Sequence, residues 1–585
     1  MKKKHLFTSI GLMLVVLIAV LGVLPKLNVT IKDQQSQSYV TEVFDQSRVT
    51  SVDTTIDEKD LDAMLESPMN ETMYAADVVI NGEKVENVGL RVKGNMTLRS
   101  VAQMEDSDRY SFKIDFDKYV DEQNLHGLKK MNLNNNYTDP SLMREYLSYS
   151  LMQEMGIPTP AFSYMYITIN GQEWGLYLGV EAVEETFLNR TFADGRGDLY
   201  KPDGVGSDLK WISDKIADYS GLNLKTNNGD TDQSAMIAML DAINHGGEIE
   251  KVLNVDEMLR YFALNTALVS LDSYQGSMKH NYYLYEENGV FSIIPWDYNM
   301  SFGGFSMGGG PGGGGGRPPQ AEEQRQQAGQ QQQAEQQQGN QAADRQNARQ
   351  GERGMGGPGG MDMAANFLND QTINFSIVTP VSGTTLDDRP LLNALLSVNE
   401  YREQYYNYLD QLATQFFTEE KIGSMTAEID ALISTYVEKD PTKFYTLEQF
   451  KEGVSGEKSL VQFVEKRAES ILAQRSGELV VEVNTTNQMG GNTGQPPQMD
   501  GRQIAGGMQP PQMGDAQNAG NRQRPQMGGR PNNGEMGFPP MGGPNGQQAS
   551  SGGYSWETFV ITFTFILILI ASIVFAFYFK RRREA

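Results

Sequence analysis

Residues 271–304 read LDSYQGSMKHNYYLYEENGVFSIIPWDYNMSFGG. Asn281–Tyr285 and Val290–Pro295 are short runs rich in Tyr, Val, Ile and Leu, separated by Glu287-Asn288-Gly289. An Asn-Gly pair supplies the positive backbone angles of a tight hairpin turn, so the two runs are expected to pair antiparallel. That pairing sets Asn281 and Asp297 at the same end of the ladder. Asp272 is expected at the end of a helix running from about Val255 to Leu271. An Asp, an Asn and a second Asp gathered at one end of a hairpin suit a hard cation such as Mg²⁺ holding a phosphate group. On spacing alone an alternative stands beside it: Asp272 and Asp297 merely cap a helix and a turn.

Upstream, the signals are those of strands. Tyr74–Ile80 and Lys84–Lys93 meet at Asn81-Gly82, Tyr110–Phe116 alternates, and Tyr164–Ile169 turns at Asn170-Gly171 into Gly175–Val180. One helix interrupts them: Asp139 can cap it, Pro140 suits its first turn, Leu142, Leu147, Leu151 and Met155 share a face, and Gly156 ends it. Helical patterns then dominate, at about Gln233–Asn244, Val255–Leu271, Glu400–Phe417, Met425–Val437 and Ser459–Leu472. The expected fold is therefore α+β and two-lobed, with a β-rich N-terminal half and a helical second half, over roughly residues 38–480.

Two segments break that pattern. Residues 303–360 are rich in Gly, Gln, Ala and Arg, and 487–553 in Gly, Pro, Gln, Asn and Met, with Pro-Gln-Met repeated at 497, 511 and 525. Neither has the apolar content to offset chain entropy, so the first is expected as a disordered insert and the second as a disordered stalk. The ends are different again. An apolar run at 6–24 follows a basic start at residues 1–5, and an apolar run at 558–579 precedes a basic tail at 580–585. Each is near the ~20 residues that cross a bilayer, and basic flanks stay cytoplasmic. The first run reads as an anchor or a signal peptide, and the main domain is expected outside the cytoplasm, consistent with a Gram-positive cell surface.

Composition excludes several classes. The net charge is −25, which argues against nucleic-acid binding, where phosphate contacts need clustered Lys and Arg. Without cysteine there is no disulfide, thiolate metal site or cysteine nucleophile, and the four histidines show no metalloprotease spacing. No Gly-Lys-Ser/Thr phosphate loop is present.

A family resemblance adds to this. From about Asn87 to Leu412 the chain resembles the CotH family of atypical secreted protein kinases, first associated with bacterial spore coats. The pieces that carry it are G-L-R-V-K-G-N (89–95), F-K-I-D-F (112–116), N-N-N-Y-T-D-P-S-L-M-R-E-Y-L (134–147) and M-G-I-P-T-P (155–160). They continue with G-L-Y-L-G-V-E (175–181), Asp272 with His280-Asn281, I-P-W-D-Y-N (294–299) and R-P-L-L (389–392). The resemblance implies transfer of the ATP γ-phosphoryl group to protein hydroxyls, with Mg²⁺, or Mn²⁺ in its place. It makes Asp272 the catalytic Asp that orients the acceptor hydroxyl, Asp297 the metal-binding Asp, and Asn281 a second metal ligand set farther from Asp272 than is usual in kinases. His280 is a structural neighbour.

Phosphoryl transfer also needs cations facing the phosphates. Lys113, on a strand after the Gly94-Asn95 turn, stands where a kinase places its phosphate-anchoring Lys; Arg91 and Lys93 are alternatives. Glu145 or Glu154 would orient that lysine, Arg144 also matches the motif, and Glu181 stands where the chain would cross between lobes and meet the nucleotide. The chain departs from the coat-associated members in its apolar termini and in the Gly/Gln-rich insert just after Asp297, where a kinase has its activation segment. The expected function is a membrane-tethered extracytoplasmic kinase acting on Ser/Thr of exported or spore-coat proteins. Its rivals are a surface scaffold or adhesin with cell-wall contact, and a phosphotransferase acting on a wall polymer.

Overall fold

The computed structural model describes residues 38–305 and 367–481, all of them within one compact unit. The apolar runs 6–24 and 558–579, the stalk 487–553 and most of the insert 303–360 lie outside the described residues. Among the described residues no helix is long and apolar enough to cross a membrane.

The N-terminal region is a closed barrel. A short helix α1 (Tyr39–Glu42) leads to β1 (Thr50–Ile56), α2 (Glu58–Glu66), β2 (Tyr74–Ile80), β3 (Glu83–Lys93), α3 (Met96–Ala102), β4 (Ser111–Asp115) and β5 (Lys130–Asn134). Then follow α4 (Arg144–Glu154), β6 (Phe162–Ile169) and β7 (Gln172–Glu181). The strand order is β1-β2-β3-β4-β5-β7-β6, closed by parallel pairing of β6 with β1. Alternation decides which side chains fill it: Val52, Val78, Leu90, Val92, Phe112, Ile114, Met131 and Leu133 are buried in one apolar cluster. The intervening residues Arg91, Lys93, Lys113, Asn132 and Asn134 therefore share the outer face.

The helical region is built around a second sheet. After α5 (Glu185–Thr191) come β8 (Asp198–Pro202), β9 (Leu222–Leu224), α6 (Ser234–His245), α7 (Val255–Leu268), β10 (Tyr282–Glu287) and β11 (Val290–Pro295), with sheet order β11-β10-β8-β9. The chain resumes with α8 (Asp370–Ile373), α9 (Pro390–Ser397), α10 (Asn399–Gln411), α11 (Glu419–Lys439), α12 (Leu447–Ser455) and α13 (Leu460–Ser476). Their apolar faces, with α4, form the larger core cluster. The result is α+β, β-rich at the N-terminus and helical toward the C-terminus.

The hairpins follow the sequence closely. Asn81-Gly82, Asn170-Gly171 and Asn288-Gly289 each adopt paired positive φ, at 49° and 89°, 51° and 75°, 57° and 85°. The flanking residues pair directly across them, Ile80 with Glu83, Ile169 with Gln172 and Glu287 with Val290. Two helix ends differ from expectation. The helix expected to begin at Asp139-Pro140 starts at Arg144, because residues 139–142 fold as a tight turn with Leu142 at φ 57°. Asp139 still caps the helix, accepting from the Arg144 amide at 2.7 Å. The helix expected to reach Leu271 stops at Leu268, with Val269 left-handed at φ 49° and the Ser270 amide bonded back to the Asn265 carbonyl at 3.0 Å. Asp272 thus lies in a loop, not at a helix end.

Candidate active site

The loop from Ser270 to Asn281 and the open end of the β10–β11 hairpin form one wall of the site. Tyr282 pairs with Pro295, so Asn281 and Asp297 leave the ladder at the same end. Asp272 is gripped from both sides. His280 Nε2 lies 2.5 Å from its Oδ1, and Asn281 Nδ2 donates to its Oδ2 at 3.0 Å and to its backbone carbonyl at 2.9 Å. The Asn281 side-chain oxygen, the atom with which an amide ligates metal, meets no donor among the described residues. Lys279, Asn281 and Asp297 all hold positive φ, at 47°, 57° and 60°. Such unfavourable backbone is kept only where surrounding contacts over-determine it.

Asp297 has its amide bonded to the Tyr149 hydroxyl at 3.1 Å, while its carboxylate receives no hydrogen bond from the described residues. Burial pushes that carboxyl up; Lys93, His280 and Lys201 pull it back, and Asp272 adds to the rise. Glu145 on α4 is buried and, with Asp297 nearby, is pushed up to about 7.

The opposite wall is the outer face of the barrel. Lys93, the last residue of β3, donates to Asn134 Oδ1 at 2.9 Å, and Asn134 donates to Glu145 Oε2 at 2.9 Å, so one amide couples the lysine to the helix carboxylate. Lys201 on β8 completes the cluster. Its ammonium lies 5.4 Å from the Tyr283 ring centre and 5.7 Å from that of Trp296, and the Lys93 ammonium also lies 5.7 Å from the Trp296 ring centre. Burial pulls both lysines down, Lys201 to about 8, with Lys93 depressing Lys201 further. Neither forms an ion pair with a carboxylate among the described residues. Two half-buried ammoniums without such partners are costly in a partly desolvated cleft, and an anion bound there would offset that cost.

The other sequence candidates are placed elsewhere. Lys113 shares the outer face of the barrel with Lys93, but its ammonium interacts with Glu184, Lys130, Arg91 and Asp115, not with Asp297. Arg91 is bound to Glu71 and to the Val92 carbonyl. Arg144 turns toward Asp139, 3.8 Å away, and lies 5.1 Å from the Phe367 ring. Glu154 pairs with Lys421 at 2.8 Å. Glu181 is fully buried and binds Arg190 at 2.6 Å, the Ala161 amide at 2.8 Å and the Tyr39 hydroxyl, which fastens α1 to the barrel. So Asp272, Asn281, Asp297, Lys93 and Glu145 come together, whereas Lys113, Arg91, Arg144, Glu154 and Glu181 do not. Lys201 was not foreseen: Leu199-Tyr200-Lys201-Pro202 has only strand alternation to mark it.

The residues present fit a magnesium–phosphate group. Among the described residues no three acidic or histidine side chains form a metal cage. Mg²⁺ is commonly held by one or two carboxylates, with substrate phosphates and water completing its octahedron.

The family model described as CotH kinase protein matches residues 90–471, and the chain belongs to the CotH family. Among curated proteins it is 32% identical over 215 residues to the inner spore coat protein H of Bacillus subtilis (strain 168), covering 34% of this chain and 57% of that protein. It is 36% identical over 81 residues to an inner spore coat protein H-like protein of the same organism, covering 14% of this chain and 25% of that one.

Proposed function

We propose that this chain is an atypical protein kinase that transfers the γ-phosphoryl group of ATP to Ser or Thr hydroxyls of exported, coat or surface proteins. The barrel is the lobe that covers the nucleotide, and the helical region is the lobe that presents the acceptor. The observation that carries this reading is Asp297, whose carboxylate, unbonded among the described residues, faces two half-buried lysines that lack ion-pair partners there. Asp297 and the Asn281 side-chain oxygen would hold Mg²⁺, which when bound neutralises phosphate charge. Lys93 and Lys201 meet the phosphate oxygens, and Asn134 and Glu145 hold Lys93 in place. Asp272, fixed by His280 and Asn281, orients the acceptor hydroxyl and accepts its proton as the new P–O bond forms and the bond to ADP breaks. The apolar termini support a tethered, extracytoplasmic setting, and the spore-coat names of the relatives support a coat or surface acceptor.

The test is incubation of the full chain with γ-labelled ATP, Mg²⁺ and a cell-envelope or coat extract. Label is expected on protein Ser or Thr, and Asp297→Ala and Asp272→Ala should each abolish it. Absence of Mg²⁺-dependent ATP binding would leave a scaffold or adhesin in its place. Label on carbohydrate would make a wall polymer the acceptor.

A further inference from the structure

The loop that carries Asp272 has no regular structure, yet two of its backbone carbonyls, those of Tyr274 and Gly276, are taken by one side chain. Arg389, immediately before α9 and only 3% exposed, donates from Nε to the Tyr274 carbonyl at 2.6 Å and from a terminal nitrogen to that of Gly276. Its other terminal nitrogen binds the Asp388 carbonyl at 2.7 Å, and the guanidinium sits 5.7 Å from the Tyr274 ring centre. It has no ion-pair carboxylate among the described residues. A buried guanidinium is usually matched by a carboxylate; this one is satisfied by backbone carbonyls, two of them in one loop.

The surrounding contacts repeat the arrangement. The Tyr274 hydroxyl accepts from the Leu391 amide at 3.1 Å and donates to the Asp208 carbonyl at 3.0 Å. Gln275 donates to the Pro380 carbonyl at 2.7 Å, and the Ser382 amide donates to the Gln275 carbonyl at 3.0 Å. Beyond Gly276, Lys279 is tied to Asp208 at 2.8 Å, and then come His280 and Asn281, which grip Asp272. The segment 380–391 therefore fixes the backbone between Asp272 and the two residues that aim its carboxylate.

We propose that Arg389 is a positioning residue for phosphoryl transfer: it sets the loop conformation that aims Asp272 at the acceptor hydroxyl and makes no contribution to nucleotide binding. This rests on the kinase reading above. Lysine offers a single point charge that cannot span two carbonyls as the planar fork does. A misplacement of about 1 Å at reacting groups costs on the order of 100-fold in rate.

In the full chain, Arg389→Lys is expected to lower kcat by about 10- to 100-fold while KM for ATP moves less than about twofold. Tyr274→Phe should act in the same direction more weakly, and it keeps the test open if Arg389→Lys fails to fold. Added guanidinium should restore part of the kcat of Arg389→Ala. Hydrogen exchange supplies a readout free of activity: amides in 271–281 should exchange faster in Arg389→Lys, with barrel amides unchanged. Unaltered loop exchange overturns the proposal, as do an unaltered kcat or a parallel change in kcat and ATP KM. A wild-type chain without transferase activity would defeat the kinase reading instead, and the exchange comparison would still decide whether Arg389 fixes the loop.

Discussion

Lys93 and Lys113 project from the same face of adjacent strands, and cross-strand register separates their fates. Lys113 pairs opposite Arg91, two residues before Lys93, and that offset delivers it to Glu184 and Asp115 while Lys93 reaches Asp297. Lys93→Met should weaken Mg²⁺-ATP binding by about 10- to 100-fold, since a charge-assisted contact is worth roughly 1.5–3 kcal/mol. Lys113→Met should change it by less than about threefold; calorimetric titration of both variants decides, and equal losses would move the phosphate site toward Lys113. Asp297→Asn keeps size and polarity but removes the charge facing the two lysines, so it should abolish Mg²⁺ dependence and labelling together. At this scale the sequence was a partial guide. The hairpin's tight turn and two-residue period predict that Asn281 and Asp297 leave the ladder at one end, as the pairing of Tyr282 with Pro295 requires. The sequence favours Lys113 over Arg91 and Lys93, whereas the fold brings Lys93 to Asp297: alternation puts all three outward, and the cross-strand register separates them. Lys201 had no motif to reveal it.

Between elements, Glu257 shows how burial ties α7 to the hairpin. Its carboxylate accepts from the Ile293 amide at 3.1 Å, from Asn254 at 3.1 Å and from the Ser292 hydroxyl at 3.4 Å, and burial pushes it up to about 7. The unfolded chain releases this proton near pH ~4.3. Between that value and about 7 the folded state holds more protons, so its stability falls as pH rises through the window. The favourable contribution is fully present below the unfolded value and lost once pH has passed the folded one. Glu257→Gln removes the charge and keeps an acceptor for the Ile293 amide. It should match the native chain near pH 4.5 and exceed it at pH 8 by on the order of 1–3 kcal/mol. Urea unfolding at the two pH values checks this, and a difference that does not vary with pH would refute it. Element by element, the Asn-Gly hairpins and the long helices were legible because turn chemistry and periodicity are local. Closure of the barrel was not. It depends on Thr50 pairing with Met165, and no local pattern announces a partner that far along the chain.

Over the whole molecule, the proposed chemistry needs Lys93 on the barrel and Asp297 on the second sheet to keep their separation, so the joints between the two regions matter. The most buried of them is Arg109 with Asp440, both side chains 2% exposed, at 2.8 Å. Arg109 precedes β4 and Asp440 follows α11. The Asp440 carboxylate also accepts from the Leu176 amide of β7 and the Thr442 amide, each at 2.8 Å. Arg109 donates to the Leu176 carbonyl and to the Thr442 hydroxyl and lies 4.6 Å from the Tyr177 ring centre. Gly175 leaves the space: at φ 116° it takes a conformation that suits glycine, and a side chain there would meet the Asp440 carboxylate. Removing one partner of such a pair strands the other charge in the interior, at a cost of about 3–5 kcal/mol. Asp440→Ala should lose that amount in denaturant unfolding. Arg109→Met combined with Asp440→Leu should lose much less than the sum of the single changes, because no charge is left buried. The loss should extend to activity below the unfolding transition, since loosening this joint changes the span between Lys93 and Asp297 before either region melts. Phosphate transfer by Asp440→Ala, measured well below its midpoint, should therefore fall more than transfer by the double variant. Equal activities would mean that the remaining contacts hold the cleft by themselves.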